Sequence, residues 1–372
     1  VTRIGDSTFL FVSSRSADTL GRVERRWLKV WEELVRSGAT VLLICPPRSP
    51  LEVPARRAGV QIAPYRLDRL NLVRTASRLR KYMRRYQPAV AHSTGYEADI
   101  VLRHAARDLP VKVVTSVLCG SWPPRGLGAI GSSFKRRLDR HTLSRCDAVM
   151  TDCRELADRM VEIAEVDRAR IVVDPPSVSL ARVLSEAEVP AALPEGRPLV
   201  GYAGALEVSR GLGTLTALRQ QLMPDHPEVR VVVAGSGPAR TRLHVAERSG
   251  AIDMLGAVPS VPAVLAGLDV CVFPSTVAGT PTPLLEAVAL GRPVVASAVP
   301  GIAELFEPDS EIILVRPGDT AELAEGVRRV LADPGSAAAR AERARMRVVD
   351  EYTSTAAVAR HLELYRALIA SL

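Results

Sequence analysis

Glu286 is the single carboxylate on an apolar run, "TPLLEAVALG", that reads as a short helix. An ionised carboxylate accepts hydrogen bonds and donates none, which suits a pair of hydroxyls such as those of a ribose. The competing use is a bond to the first amides of its own helix, and these residues alone leave both uses open. Thr282-Pro283 reads as the helix start, with Thr at the N-cap and Pro at the first helical position; Gly291-Arg292-Pro293 reads as its stop. The free N–H groups and the dipole at such a start favour an anion, and Gly279 lets the backbone come close to one. Ser275 and Thr280 lie on the same loop.

Two more loops share this grammar. "GALEVSRG", Gly204 to Gly211, follows an apolar strand and leads into a helix, so Arg210 stands at a helix start. The dipole disfavours a cation there unless it shares an anion with the amides; a plain surface arginine is the bland alternative. "GSGPA", Gly235 to Ala239, again joins strand to helix, and alone it is a weak phosphate-loop signal.

The elements that must hold these loops are legible as alternating Val-rich runs and helical patterns. In the first half the expected strands are Thr8–Ser13, Thr40–Cys45, Val60–Ala63, Ala89–His92, Val111–Val117, Ala148–Thr151 and Ile171–Asp174, with helices such as Arg22–Ser37 and Val73–Tyr86 between them. A proline-rich break runs from Pro175-Pro176 to "EVPAALPEGRP", after which Leu199–Ala203, Val229–Ala234, Val270–Phe273, Pro293–Ser297 and Ile312–Val315 repeat the pattern. Continuous apolar strands are buried on both faces, as in parallel sheets covered by helices. The expectation is α/β: two doubly wound domains, 1–190 and 191–353, facing a central cleft, with a last helix at 354–372 packing back towards the first domain. Ligands of such sheets bind beyond the carboxyl ends of the strands.

The 372 residues and 47% apolar content suffice for two cores, and the scarcity of aromatics, 4%, leaves Val, Leu and Ala to build them. Cys45, Cys119, Cys146, Cys153 and Cys271 are scattered and form no Cys-x-x-Cys, so neither a disulfide framework nor a zinc site is expected. No apolar run approaches the roughly 18 residues of a membrane span, and Val1 to Ser13 lacks the basic start of a signal peptide, which reads as cytoplasmic. The net charge of +8 comes almost wholly from arginine. Its densest cluster, Arg66, Arg69, Arg74, Arg78, Arg80, Lys81, Arg84 and Arg85, is opposed by Asp68 alone. A solvated helix face is the plainer reading, and peripheral contact with an anionic membrane or substrate the sharper one. Nothing points to nucleic acid.

Taken in order, "VGYAGALEVSRG", "VVVAGSGP", "LGAVPSVPAVLAGLDVCVFPS" and "GTPTPLLEAVALGRPVVAS" resemble the donor-nucleotide half of the family-4 retaining glycosyltransferases. The first half is similar only in outline, through "GRVERRWLKVWEELVRSGATVLLI". The resemblance implies the GT-B fold, with two Rossmann-like domains holding a nucleoside-diphosphate sugar (UDP or GDP) and needing neither metal nor cofactor. It places Glu286 on the ribose and Arg210 where the family has a diphosphate-binding lysine, which makes Arg210 the main catalytic cation. Gly204, Ser275, Gly279, Thr280 and the amides near Thr282 and Leu284 line the donor, and Met254 to Val258 edges the base. The acceptor falls to loops of the first half, with Ser14, Arg15, His92, Tyr96 and Trp122 as candidates. His92 is weighed as a base against a structural role at a strand end.

The pattern departs from the family in the parts that read the transferred sugar. The first of two acids seven residues apart is replaced by Ala278, the arginine after Gly204 by Ala205, and the usual histidine after the fifth strand by Val117 or Leu118; Pro283 removes one amide. The reading that follows is a retaining transferase moving an unusual sugar to a small-molecule acceptor, in natural-product or cell-envelope synthesis. The alternatives are a transferase with a pseudo-sugar donor or non-hydroxyl acceptor, and an inactive nucleotide-binding partner. A nicotinamide reductase is excluded for want of Gly-x-Gly-x-x-Gly after the first strand.

Overall fold

Parallel strands can be joined only by crossovers long enough to return the chain, and here helices supply almost all of them. The computed structural model describes residues 4–14, 22–64, 71–119 and 128–372. The chain divides into two compact units, one running to Pro175 and including Thr355–Leu372, the other spanning Pro176–Ser354.

In the first unit β1 is Thr8–Ser13, α1 Arg22–Arg36, β2 Thr40–Cys45, α2 Glu52–Arg57, β3 Gln61–Pro64 and α3 Leu72–Tyr86. They are followed by β4 Val90–Thr94, α4 Tyr96–Ala105, β5 Lys112–Val117, α5 Gly128–Leu143, β6 Ala148–Thr151, α6 Arg154–Ala164 and β7 Ile171–Val173. The strands form one parallel sheet in the order β3-β2-β1-β4-β5-β6-β7.

The second unit opens with α7, Leu180–Ala187, and continues through β8 Leu199–Ala203, α8 Gly213–Leu222, β9 Arg230–Ala234, α9 Arg240–Arg248, β10 Asp253–Gly256 and α10 Val261–Gly267. It proceeds with β11 Val270–Phe273, α11 Thr282–Ala289, β12 Val294–Ser297, β13 Ile313–Val315, α12 Thr320–Ala332 and α13 Pro334–Glu351. This sheet is also parallel, in the order β10-β9-β8-β11-β12-β13. The division falls at the Pro175-Pro176 pair and not near residue 190, because α7 packs on α10 and α11.

The last helix, α14 (Ser354–Ala370), packs in the first unit, where Tyr365 meets Phe9 at 5.4 Å between ring centroids. The second unit's core is built largely of Val, Leu and Ala. The first unit is different: among the described residues its fully buried aromatics gather on one face of the sheet, where Phe11 packs on Trp27 and Trp31. Its other face carries a buried polar network. Arg103 of α4 donates to Asp139 Oδ1 at 2.6 Å and to Thr115 and Thr142 hydroxyls, and Asp99 accepts from Ser93 and Thr115. On α3 an Asn71 cap accepts from the Arg74 amide, and Arg74, Arg78, Lys81, Arg84 and Arg85 are exposed; Arg66 and Arg69 lie outside the described residues. Among the described residues no helix is long and apolar enough to cross a membrane.

Burial pushes the Asp99 carboxyl up to about 6, against the pull of Arg103 and the two hydroxyls. Its folded value is therefore above its unfolded one, so its stabilising contribution is complete below pH 4 and is lost as the pH rises through 6. Asp99→Asn should lose that dependence, changing the difference in stability between pH 4 and pH 7 by about 3 kcal/mol relative to wild type. Urea denaturation of both proteins at several pH values measures it; parallel curves would show that Asp99 titrates normally.

Candidate functional site

In both sheets strand order reverses once, between β1 and β4 and between β8 and β11, and open α/β sheets bind ligands at the carboxyl ends flanking such a reversal. The donor candidates collect at the second reversal. Gly204 follows β8 with φ 147°, and its amide donates to the Ala234 carbonyl. A turn at Val208–Arg210 presents Arg210, and Gly211 ends that turn in the left-handed region at φ 64°. The loop after β11 lies against this turn: the Thr276 amide donates to the Ser209 carbonyl at 3.0 Å, and a Cβ on Gly211 would sit 1.8 Å from the Pro274 oxygen. Among the described residues the nearest carboxylate to the Arg210 guanidinium is Glu207, at 4.0 Å, which leaves the cation loosely held beside the site. Tyr202 beneath it donates to the Ala205 carbonyl, and burial pushes its phenol up to about 12 although Arg210 pulls the other way.

Gly279, at φ 118°, donates its amide to the Pro300 carbonyl at 2.7 Å and lies so close to Gly301 that a Cβ there would come within 2.9 Å of its Cα. Ser275 and Thr280 are buried in this loop, and the Thr280 hydroxyl donates to the Gly301 carbonyl, which makes Thr280 a brace of the loop and not a free ligand group. The helix start also differs from expectation. The first helical residue is Thr282, the cap is Pro281, which has no side-chain oxygen to offer, and Pro283 stands one place later than read. The Leu284 amide already donates to the Pro281 carbonyl at 3.1 Å, so it is not available to an anion in this conformation. Met254 and Val258 stand on and just after the edge strand β10, half-buried against the core.

Glu286 is 5% exposed, surrounded on its helix by buried Leu284, Leu285, Ala287 and Val288. It holds Arg182. The Arg182 Nη2 donates to Glu286 Oε1, while Nη1 donates to Glu186 Oε2 at 2.8 Å on the same helix, α7. Burial works against the Arg182 charge, but the bonds to Glu286 and Glu186 hold its pKa above the ordinary arginine value. Sequence reading misses Arg182, because it pairs with Glu286 across 104 residues.

At the first reversal Ser14 is nearly buried, with its amide on the Thr94 carbonyl, and Tyr96 opens α4 with Lys135 4.9 Å over its ring. His92 is a correction. It is fully buried in the aromatic face, with Nδ1 2.7 Å from the Tyr365 hydroxyl and Nε2 2.8 Å from the Ser116 hydroxyl. Burial and then the nearby His361 drive its pKa well below the usual value, so the imidazole is neutral. With both nitrogens taken, it serves as a core residue, neither base nor acceptor ligand. Arg15 and Trp122 lie outside the described residues. One cluster goes unread in the sequence: among the described residues Cys119, Asp152 and Cys153 bring ligand atoms within 4.8 Å of one another, with the two sulfurs 2.9 Å apart.

Residues 197–333 match the family model described as glycosyl transferases group 1, and residues 21–177 that of the glycosyl transferase 4-like domain. The chain is 31% identical over 208 residues to the 2-deoxystreptamine N-acetyl-D-glucosaminyltransferase of Streptomyces fradiae, covering 52% of this chain and 49% of that protein. It is 30% identical over 164 residues to the 2-deoxystreptamine glucosyltransferase of Streptomyces kanamyceticus, 42% of each. The chain thus spans about half the length of these relatives. In structure it is similar to a Rickettsia africae glycosyltransferase (TM-score 0.80, 17% identity, 98% of both chains). It is equally similar to the HepE protein of Anabaena in complex with UDP (TM-score 0.81, 16% identity, 97% and 100%).

Proposed function

We propose, from the premise that this chain belongs to the family-4-like glycosyltransferases with the GT-B fold, that it moves a sugar from a nucleoside diphosphate to a small-molecule acceptor. The observation that carries this reading is the joining of two loops at the β8/β11 reversal, which sets the loosely held Arg210 beside the Gly279 loop and the start of α11. A departing diphosphate gains negative charge as the sugar bond breaks. A cation that meets that charge more strongly than it meets the intact donor lowers the barrier more than it strengthens substrate binding. Glu286 one turn further takes the ribose hydroxyls. The retaining course needs no enzyme nucleophile, which agrees with the withdrawal of His92 into the core. A small acceptor is supported by the names of the relatives from Streptomyces.

Ala278 is half-buried on the donor loop, where a sugar hydroxyl would lose water and gain no partner. This favours a deoxy or otherwise modified sugar over a common hexose. Ala205 and Ala278 together also favour a second reading, a nucleotide-binding partner without turnover. The peripheral membrane reading of α3 stays with its exposed basic face.

The test has two stages. UDP and GDP are titrated by calorimetry against wild type and Arg210→Ala. The variant should lose tenfold to a hundredfold in diphosphate affinity, the value of a charge-assisted hydrogen bond, and little in affinity for uridine or guanosine. Equal losses for nucleoside and diphosphate would remove Arg210 from the phosphate. Product formation from a panel of sugar nucleotides with an aminocyclitol acceptor then separates the readings: turnover establishes the transferase, and binding without turnover the inactive partner.

A further inference from the structure

We infer that Arg182 is a positioning residue for the nucleotide: it holds one oxygen of Glu286 so that the other is presented to the ribose hydroxyls. This rests on the proposed role of Glu286 and extends it to a residue on another helix. A carboxylate 5% exposed in an apolar wall has few partners to fix its orientation, and two hydroxyls need an acceptor oxygen held in one place. Arg182 supplies that restraint with a charge-assisted bond.

The geometry is that of a clamp and not a plug. Arg182 uses Nη2 on Glu286 Oε1 and spends Nη1 on Glu186, so its grip on Glu286 is through one oxygen, and Oε2 is left over. Glu186 keeps the guanidinium from folding further over the carboxylate, and α7 is itself anchored where the Ser260 hydroxyl donates to the Glu186 carbonyl at 2.8 Å. No other charged group competes for Glu286 among the described residues. The α10 and β12 segments bring no titratable side chain, β11 brings only the buried Cys271 thiol, and on α13 Arg345 bonds Glu342 and Arg347 bonds Glu311.

The test is a titration of UDP and GDP into wild type, Arg182→Ala, Arg182→Lys, Glu286→Ala and the double variant. Arg182→Ala should bind at least tenfold more weakly than wild type, because the carboxylate then loses the bond that fixes it. Arg182→Lys keeps the charge and should stay within a few-fold of wild type. In the Glu286→Ala background Arg182→Ala should add no further loss. Wild-type affinity in Arg182→Ala, or tighter binding, would overturn the inference, the latter by making Arg182 a competitor of the ribose. Failure of the underlying reading looks different: Glu286→Ala would then bind as wild type does. Thermal unfolding supplies a ligand-free check. Arg182→Ala should lower the melting temperature, and Glu286→Gln added to it should recover part of that loss; equal melting temperatures of Arg182→Ala and wild type count against the clamp.

Discussion

Gly211→Ala should destabilise the second unit by about 2–5 kcal/mol and weaken nucleotide binding, whereas Gly213→Ala, two residues along, should be neutral or stabilise by up to about 1 kcal/mol. At Gly211 the backbone is in the left-handed region, and the new methyl would meet the Pro274 oxygen at 1.8 Å, with Thr276 Cγ2 close behind at 3.1 Å. The obstacle is main chain and cannot rotate away. The loop after β11 would have to part from the Val208–Arg210 turn, and the bond from the Thr276 amide to Ser209 would go with it. Since that turn carries Arg210, affinity for a nucleoside diphosphate should fall together with stability. At Gly213, the first residue of α8, a methyl meets nothing within 4 Å and only removes freedom from the unfolded chain. Chemical denaturation and calorimetry on both variants decide the matter. Equal behaviour of the two would mean that the contact between the loops does not hold the site.

The second large effect lies in the first unit. Arg103→Ala should cost about 3–5 kcal/mol, because it removes the charge and leaves its buried partners behind. Arg103 is 1% exposed and Asp139 3%, and their bond is shared with Thr115 and Thr142. Asp99, also buried, loses the cation that opposes its desolvation. Asp139→Asn combined with Arg103→Ala should recover part of the loss, since the orphaned charge is then gone. Urea denaturation gives the values; a loss under about 1 kcal/mol would mean that water reaches the network.

Sequence reading succeeds where a strand is a continuous apolar run between polar ends. Thr8–Ser13, Thr40–Cys45, Ala148–Thr151, Leu199–Ala203 and Val270–Phe273 appear in the structure at the ends read for them. It misses β10, because "DMLG" is short, only half-buried and at the sheet edge, with no β-branched residue to mark it. It shifts the start of α11 by one residue, because Thr-Pro serves equally as a cap followed by a helical proline and as the first two helical residues. The glycine loops of the site are legible, since their conformation is a local demand. The partners of polar side chains are not: Arg182 with Glu286, Arg103 with Asp139 and His92 with Tyr365 are matched by the fold across 104, 36 and 273 residues. In sequence each looks like a solvated face or a reactive group.

The place of α14 bears on biosynthesis. Asp174 stands at the exit of the first unit, where Arg26 of α1 and Arg360 of α14 both close on it, and Tyr365 supplies the hydroxyl that His92 meets in the aromatic face. These partners lie on either side of the whole second unit, from Pro176 to Ser354. At about 5–20 residues per second, a ribosome needs on the order of ten to forty seconds to reach Tyr365 after passing Asp174. Throughout that interval the first unit has Phe9 and Phe11 uncovered on one side and His92 without its phenol partner. The later-made half, by contrast, has every strand and covering helix of its own sheet in hand before translation reaches Thr355–Leu372. Vectorial synthesis therefore completes the second unit before the first, and of the two the first unit has more need of a holding chaperone.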